Sequence, residues 1–423
     1  MTSQSIASRP ADCAGPNAAN ATPPLTLQPA SPTAKPLSVL IAVPTLHAGA
    51  ADAGAAGLAQ MLAVAGHKPL VISSGGRLTD AVRAAGAACV TLAVATRNPW
   101  TLARNALVMA RLAREHRCDL IHAHGRAPAW SAYLAARITA TPFLTTWYKG
   151  FREQNALKHL YNSVMARGDR VIAVSDQLAD LIHQRYGTPW ERIAVVPLSI
   201  DADRFDPATV TADRAVAMRR AWGVGDEERI ILVVGRMLRR KGHHIVVEAA
   251  RRLKATGLKD FVVVFAAEDR GTRYAAELWD GVLAAGANDI VRITGPIDDL
   301  PAAYAAATVV VSAAIQPEGL QRALLEAQAM GCPVIASDLG AGPEVVLAPP
   351  AVAADRMTGM RVAAGDATAL ATALLRLFSM PEAERRSIGS RGRAWVCGHF
   401  DAQTATALTL KLYAEVAVGK KVA

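Results

Sequence analysis

The residues of this chain best placed to do chemistry lie in PEGLQRALLEAQAMGCPVIASD, residues 317–338, where Glu318 and Glu326 bracket the expected start of a helix near Gly319. On a helix, eight residues rise ~12 Å. That is wider than the roughly 5 to 9.5 Å between the two carboxyls of a glycosidase, so the pair reads as two grips on one long ligand. Glu318, in the loop before the helix, would accept hydrogen bonds from sugar hydroxyls, and Glu326, about two turns in, from both hydroxyls of a ribose. The helix entrance would turn N–H groups toward negative charge. The alternative is a Glu that complements the helix dipole followed by an exposed helical Glu.

Three further places follow apolar runs. RMLRRKG after IILVVG offers Arg236 and Lys241, which can converge on an anion that also meets free backbone N–H groups; a pyrophosphate is the natural candidate, a solvated basic loop the alternative. PTLHAGAADAGAAG after the first run is neither GxGxxG nor GxxxxGK[ST], yet Gly49 permits a close approach of backbone to a ligand. IHAHGRAPAW places His122 and His124 on one face of a strand. With no third ligand near them a metal is not expected, and His124 reads either as a hydrogen-bonding or proton-transferring group or as a structural histidine. His243 and His244 read as helix-start residues.

These residues need a scaffold, and the sequence describes one. SVLIAV (38–43), PLVIS (69–73), LIHA (120–123), PFLTT (142–146) and RVIAVS (170–175) alternate with amphipathic segments, as do IILVVG (230–235), FVVVFA (261–266), IVRITG (290–295), TVVVSA (308–313) and PVIAS (333–337). Runs apolar on both faces belong in parallel sheets covered by helices. In NALKHLYNSVMARG the residues Leu157, Leu160, Tyr161 and Val164 form the expected core stripe of one such helix, stopped by Gly168. HHIVVEAARRLK does the same with Ile245, Ala249 and Leu253. Between the two series, turn formers and charge over 195–229 mark a linker. The expected organisation is a disordered tail over 1–36, where 23 residues are Ala, Pro, Ser or Thr; a Rossmann-like domain over 37–205; a linker over 206–229; a second Rossmann-like domain over 230–398; and a helix over 399–423 that crosses back to the first domain.

At 423 residues the chain is too long for one core. No apolar run reaches the ~18 residues that span a bilayer, so membrane contact is expected to be peripheral. Five cysteines without a CxxC pair argue against a disulfide framework or a zinc site and point to a reducing cytoplasm. The net charge of +10 is scattered, with no nucleic-acid-binding motif, so nucleic acid is not an expected partner; anionic lipid and phosphorylated acceptors stay open.

Gly235-Arg236 with Lys241-Gly242, then Glu318 and Glu326 as E-x7-E, then GCPVIASDLGAGPEVV, resemble the family 4 (group 1) glycosyltransferases of the GT-B fold, over roughly 37–415. The resemblance implies two facing doubly wound Rossmann-like domains with a cleft between them. It also implies retaining, metal-independent transfer from a nucleoside-diphosphate sugar, a co-substrate rather than a bound cofactor. Residue by residue, Arg236 and Lys241 would hold the diphosphate and Glu326 the ribose. Glu318 would hold the sugar with the N–H groups of Gly319, Leu320 and Gln321, and the strand end from Ile293 to Gly295 would meet the base. Gly49 would lie near the transferring phosphate and His124 against the sugar, so Glu318 and His124 are the catalytic candidates. Four positions depart from the family pattern. Gly-Phe-Gly becomes Gly319-Leu320-Gln321, Gly-Gly-x-Glu becomes Gly49-Ala50-Ala51-Asp52, a histidine after PFLTT becomes Trp147-Tyr148-Lys149, and Asn-Gly before the linker Asp becomes Leu198-Ser199.

The expected acceptor is a cell-envelope glycan or glycolipid, of lipopolysaccharide type, reached from the cytoplasmic side. The basic, Trp-bearing segment RNPWTLARNALVMARLAREHR suggests peripheral contact with the inner membrane surface, a solvated helix face being the alternative. Two other functions fit the same residues: a nucleotide-sugar epimerase, and a non-catalytic nucleotide-sugar-binding protein.

Overall fold

The computed structural model describes residues 35–47, 49–151, 153–267 and 271–419. The tail expected over 1–36 therefore lies, but for its last two residues, outside the described residues. The chain forms two compact units: a first containing residues 35–202, Pro317–Arg322 and 397–419, and a second containing Asp203–Gln316 and Ala323–Val396.

The first unit is built on β1 (Ser38–Ala42), β2 (Lys68–Ser73), β3 (Ala88–Thr91), β4 (Leu120–Ala123), β5 (Phe143–Trp147), β6 (Arg170–Ala173) and β7 (Ile193–Val195). These form one parallel sheet in the order β3-β2-β1-β4-β5-β6-β7. Every residue of β1 is buried, so helices cover the sheet on both sides. Val39, Ile41, Val71, Leu120 and Leu144 share a core with Tyr413 from the last helix, and complete burial of each aliphatic side chain contributes ~1.5–3 kcal/mol.

The second unit holds β8 (Arg229–Val234), β9 (Phe261–Ala266), β10 (Val291–Thr294), β11 (Val309–Ser312), β12 (Val334–Ser337) and β13 (Met360–Val362) in the parallel order β10-β9-β8-β11-β12-β13. Its core gathers Ile231, Val233, Phe261, Val263, Phe265, Val309, Val311 and Ile335 under the helix His243–Ala255. In each sheet the chain builds outward one way and then returns to build the other way. The reversal falls between β1 and β4 in the first unit and between β8 and β11 in the second, and crevices at such points are where open α/β sheets bind ligands.

Several expectations need correcting. β3, β7 and β13 were not anticipated: ACVT is only partly buried, MRV carries an arginine, and IAV is three residues long. The 206–229 segment is no plain linker, since it contains the helix Ala212–Ala221, whose Arg214 forks onto Asp299 at 2.7 and 3.0 Å. Of the stripe read from Leu157, Leu160, Tyr161 and Val164, Val164 is buried just past the helix and Tyr161 half-buried, but Leu157 and Leu160 do not face the core. Those side chains are 76% and 52% exposed, and the helix Ala156–Ser163 instead buries Asn162, which bonds Arg126 at 2.7 Å.

Candidate functional site

In the second unit Arg236 and Lys241 follow β8. Arg236 is exposed, and Lys241 closes a 3-10 turn, Arg239–Lys241, that leads through Gly242 into the helix at His243. The turn is pinned to the neighbouring strand end, because the Ile315 amide donates to the Arg240 carbonyl at 2.9 Å. Gly242 has φ +73°, and a Cβ there would stand 1.7 Å from the Ala313 carbonyl oxygen, so only glycine permits this approach. The sequence thus seats a cationic turn at the ends of β8 and β11, the reversal point of this sheet.

Glu326 lies in the same unit on the helix Arg322–Ala329 and is buried. The hydroxyl of Tyr304, itself fully buried, donates to its Oε2 at 2.9 Å. Ile293 is partly buried and packs against the core at the end of β10, one residue before Thr294 closes the strand. His243, at the head of its helix, is buried, and burial together with the nearby Lys241 pushes it down to about 4, against a smaller opposing pull from the Leu238 backbone. Among the described residues no three His, Cys, Asp or Glu side chains gather as metal ligands.

Glu318, Gly319, Leu320 and Gln321 belong to the first unit. They also precede the helix, which begins at Arg322 and not near Gly319. Glu326 is therefore in the second turn of that helix, and a helical rise cannot set its spacing from Glu318. The N–H groups of Gly319, Leu320 and Gln321 belong to a non-helical segment. Glycine is required at 319 for a different reason: a Cβ there would stand 2.1 Å from the carbonyl oxygen of Tyr148.

Gly49, after β1, is the residue before the helix Ala50–Val64, with an ordinary φ of −74°. A Cβ on it would meet only Asp52, at 3.6 Å, so the fold itself does not demand glycine here. The loop is shaped by the buried Asp52, whose carboxylate accepts from the Thr45 hydroxyl at 2.8 Å and from the amides of His47 and Gly49 at 3.1 and 3.3 Å.

His122 and His124 share one face of β4 and its extension, their ring centroids 4.3 Å apart. The His124 amide donates to the Ala42 carbonyl at 2.8 Å, which holds it against the end of β1 at the reversal point of the first sheet. The two rings differ in how they are satisfied. His122 uses both nitrogens, Nδ1 with the Tyr413 hydroxyl at 2.6 Å and Nε2 with Thr146 at 2.7 Å. His124 bonds the Tyr148 hydroxyl through Nδ1 at 2.7 Å, while its buried Nε2 has no hydrogen-bond partner among the described residues. Burial holds both neutral, His124 down to about 3, and His122 lower than usual through burial and its neighbour. His122 is thus a satisfied core histidine, and the structural reading of His124 leaves one buried nitrogen unexplained. Sequence reasoning gave no role to Tyr304 or Tyr413, and marked Tyr148 only as part of a departure from the family pattern. Only Tyr148 carried a signal, as the residue next to an expected strand end.

Two all-parallel α/β sheets, of seven and six strands, match the solved structures of GT-B glycosyltransferases. Two family models match the chain, the one described as Glycosyl transferases group 1 over residues 228–380 and the one described as Glycosyltransferase Family 4 over residues 53–204. The D-inositol 3-phosphate glycosyltransferase of Salinispora tropica is 30% identical over 302 residues, 65% of this chain, and the chain spans 59% of that relative's length. The putative colanic acid biosynthesis glycosyltransferase WcaL of Escherichia coli K12 is 29% identical over 311 residues, 70% of this chain and 72% of its own. Among solved structures, a glycosyltransferase from Rickettsia africae superposes with a TM-score of 0.80 at 27% identity, covering 90% of this chain and 98% of its own. The Anabaena HepE protein in complex with UDP-glucose shares the fold, with a TM-score of 0.77 at 18% identity over 89% of this chain and 100% of its own. The chain belongs to the group 1, family 4 glycosyltransferases.

Proposed function

We propose that this protein moves a sugar from a nucleoside-diphosphate sugar to a cell-envelope glycan or lipid-linked acceptor, with retention at the anomeric carbon and without a metal. The observation that carries the reading is the cationic turn of Arg236 and Lys241 held at the ends of β8 and β11 in a chain of this family. When the bond between the anomeric carbon and the diphosphate breaks, its electron pair stays on the phosphate oxygen. Fixed positive charge at the diphosphate stabilises that developing anion. Glu326, oriented by Tyr304, is the acceptor for the ribose hydroxyls. The end of β10 from Ile293 to Gly295 is assigned to the base. Glu318 and the main chain of Gly319, Leu320 and Gln321 are assigned to the sugar, with His124 and the loop at Gly49.

Support for a nucleotide-sugar donor comes from the UDP-glucose complex of the HepE protein, and support for an envelope glycan from the name of WcaL. The helix Pro99–Glu115 adds a reason to place the acceptor at an anionic membrane surface. Trp100, Arg104, Leu107, Arg111 and Arg114 are all exposed at spacings that put them on one stripe, with Trp100 85% and Leu107 64% exposed. No helix among the described residues is long and apolar enough to cross a membrane. Flotation with anionic liposomes at low salt tests this part, protein left wholly in the soluble fraction counting against docking.

Thermal-shift screening against UDP, GDP and ADP sugars, followed by a transfer assay with envelope extracts and chelator present, tests the function. Stabilisation by one nucleotide series and label transfer with the anomeric configuration retained are expected. A new sugar formed from donor alone would instead identify an epimerase, and donor binding without transfer to any extract a non-catalytic binding protein.

A further inference from the structure

The unsatisfied nitrogen of His124 has a counterpart 24 residues along the chain. β4 and β5 pair with Ala123 opposite Thr145, so the faces that carry His122 and His124 also carry Thr146 and Tyr148. His122 bonds Thr146 and His124 bonds Tyr148, which makes two rungs of one side-chain ladder. Tyr148 is fixed from two other directions. A Cβ at Gly54, inside the helix Ala50–Val64, would fall 2.2 Å from its hydroxyl oxygen, and one at Gly319 would fall 2.1 Å from its carbonyl oxygen. A mid-helix glycine costs roughly 0.5–1 kcal/mol relative to alanine, and here the missing side chain makes room for the phenol.

The direction of the hydrogen bond follows from chemistry. Burial pushes Tyr148 well above the usual tyrosine range, so the phenol keeps its proton, and burial keeps His124 neutral. Between a phenol and a neutral imidazole, the ring nitrogen is the better acceptor and the phenol O–H the better donor. If Nδ1 accepts, Nε2 must carry the imidazole proton.

We propose that Tyr148 is a positioning residue that donates to Nδ1 of His124, locks the Nε2–H tautomer and leaves that N–H to donate to an oxygen of the transferred hexosyl group. The inference rests on the proposed transfer reaction only for the identity of the oxygen; the tautomer and its cause stand on the first unit alone. Tyr148 also lays its main chain against Gly319, so the group that orients His124 touches the segment assigned to the sugar.

The test is a long-range ¹H–¹⁵N correlation spectrum of histidine-labelled protein at neutral pH, with Tyr148→Phe beside the wild type. His124 is expected as the Nε2–H tautomer in the wild type and as a mixture or the Nδ1–H form in Tyr148→Phe, with the His122 pattern unchanged. In the transfer assay Tyr148→Phe should lower kcat about tenfold, the loss of one oriented hydrogen bond, with donor KM within about twofold. An Nδ1–H tautomer of His124 in the wild type, or one unaltered by Tyr148→Phe, overturns the proposal whatever the assay reads. The wild-type spectrum decides it even where the variant folds poorly. Failure of the transfer reading would show separately, as absence of transfer with the expected tautomer intact.

Discussion

The hydroxyl of Tyr304 donates to the carboxylate of Glu326 across 2.9 Å in the second unit, and neither side chain is open to solvent. One residue on a short helix is thereby held in orientation by another that is 22 positions away in sequence. A buried carboxylate that accepts from a buried hydroxyl is held in one orientation, the form expected of a group that must meet a ligand hydroxyl without rearranging.

Replacing Glu326 should therefore weaken the donor as a whole. Glu326→Ala is expected to cost about 1.5–3 kcal/mol of nucleoside-diphosphate affinity, the loss of a charge-assisted hydrogen bond. Tyr304→Phe should cost less, since it frees the carboxylate without removing it. Isothermal titration of both variants and their combination would measure the coupling, and strictly additive losses would mean that Tyr304 does not act through Glu326.

Lys241→Ala should act on rate more than on ground-state binding, because charge on the departing diphosphate grows toward the transition state. A fall in kcat of roughly 100-fold with donor KM changed only a few-fold is expected. A raised KM at unchanged kcat would place Lys241 in uniform binding instead.

The glycines separate fold from function. Gly242→Ala, at φ +73° and 1.7 Å from the Ala313 carbonyl, should destabilise the protein by about 1–3 kcal/mol. Gly49→Ala, at φ −74° with only Asp52 nearby, should cost less, about 0.5–1 kcal/mol for a poorer N-cap, yet weaken donor binding if backbone approaches the phosphate there. Thermal melts and titrations on the two variants check both statements, and wild-type donor affinity in Gly49→Ala would remove that loop from the site.

The pH dependence has a definite sign. His122, His124 and His243 are buried and lowered, His124 to about 3 and His243 to about 4. An unfolded histidine titrates near 6.5, so below that pH the unfolded chain binds protons that the folded chain refuses. Stability is complete above about pH 6.5 and is lost as the pH falls toward 4. Urea midpoints should decline from pH 7 to pH 5, less steeply in His243→Asn, and identical slopes would show that His243 takes no part.

Much of the scaffold was legible because the strands of a covered parallel sheet are continuous apolar runs; LIHA and FVVVFA match β4 and β9 residue for residue. The candidate cations and acids were legible because they follow such runs. What escaped was decided by distant partners. Leu157 and Leu160 have helical spacing but lie outward, since the polar Asn162 beside them meets Arg126. The helix expected from Gly319 starts at Arg322, where the preceding segment instead lies against Tyr148. The three tyrosine hydroxyls that orient Glu326, His122 and His124 come from 22, 291 and 24 residues away, beyond the reach of any local pattern.

Isothermal titration of UDP, GDP and ADP into the wild type and into an Arg236→Ala, Lys241→Ala double variant tests donor binding by the cationic turn most directly. Binding of one nucleoside diphosphate by the wild type, lowered at least 100-fold in the double variant while its melting temperature is kept, is the expected result. Equal affinity in the two proteins, or no binding of any nucleoside diphosphate by the wild type, would contradict it.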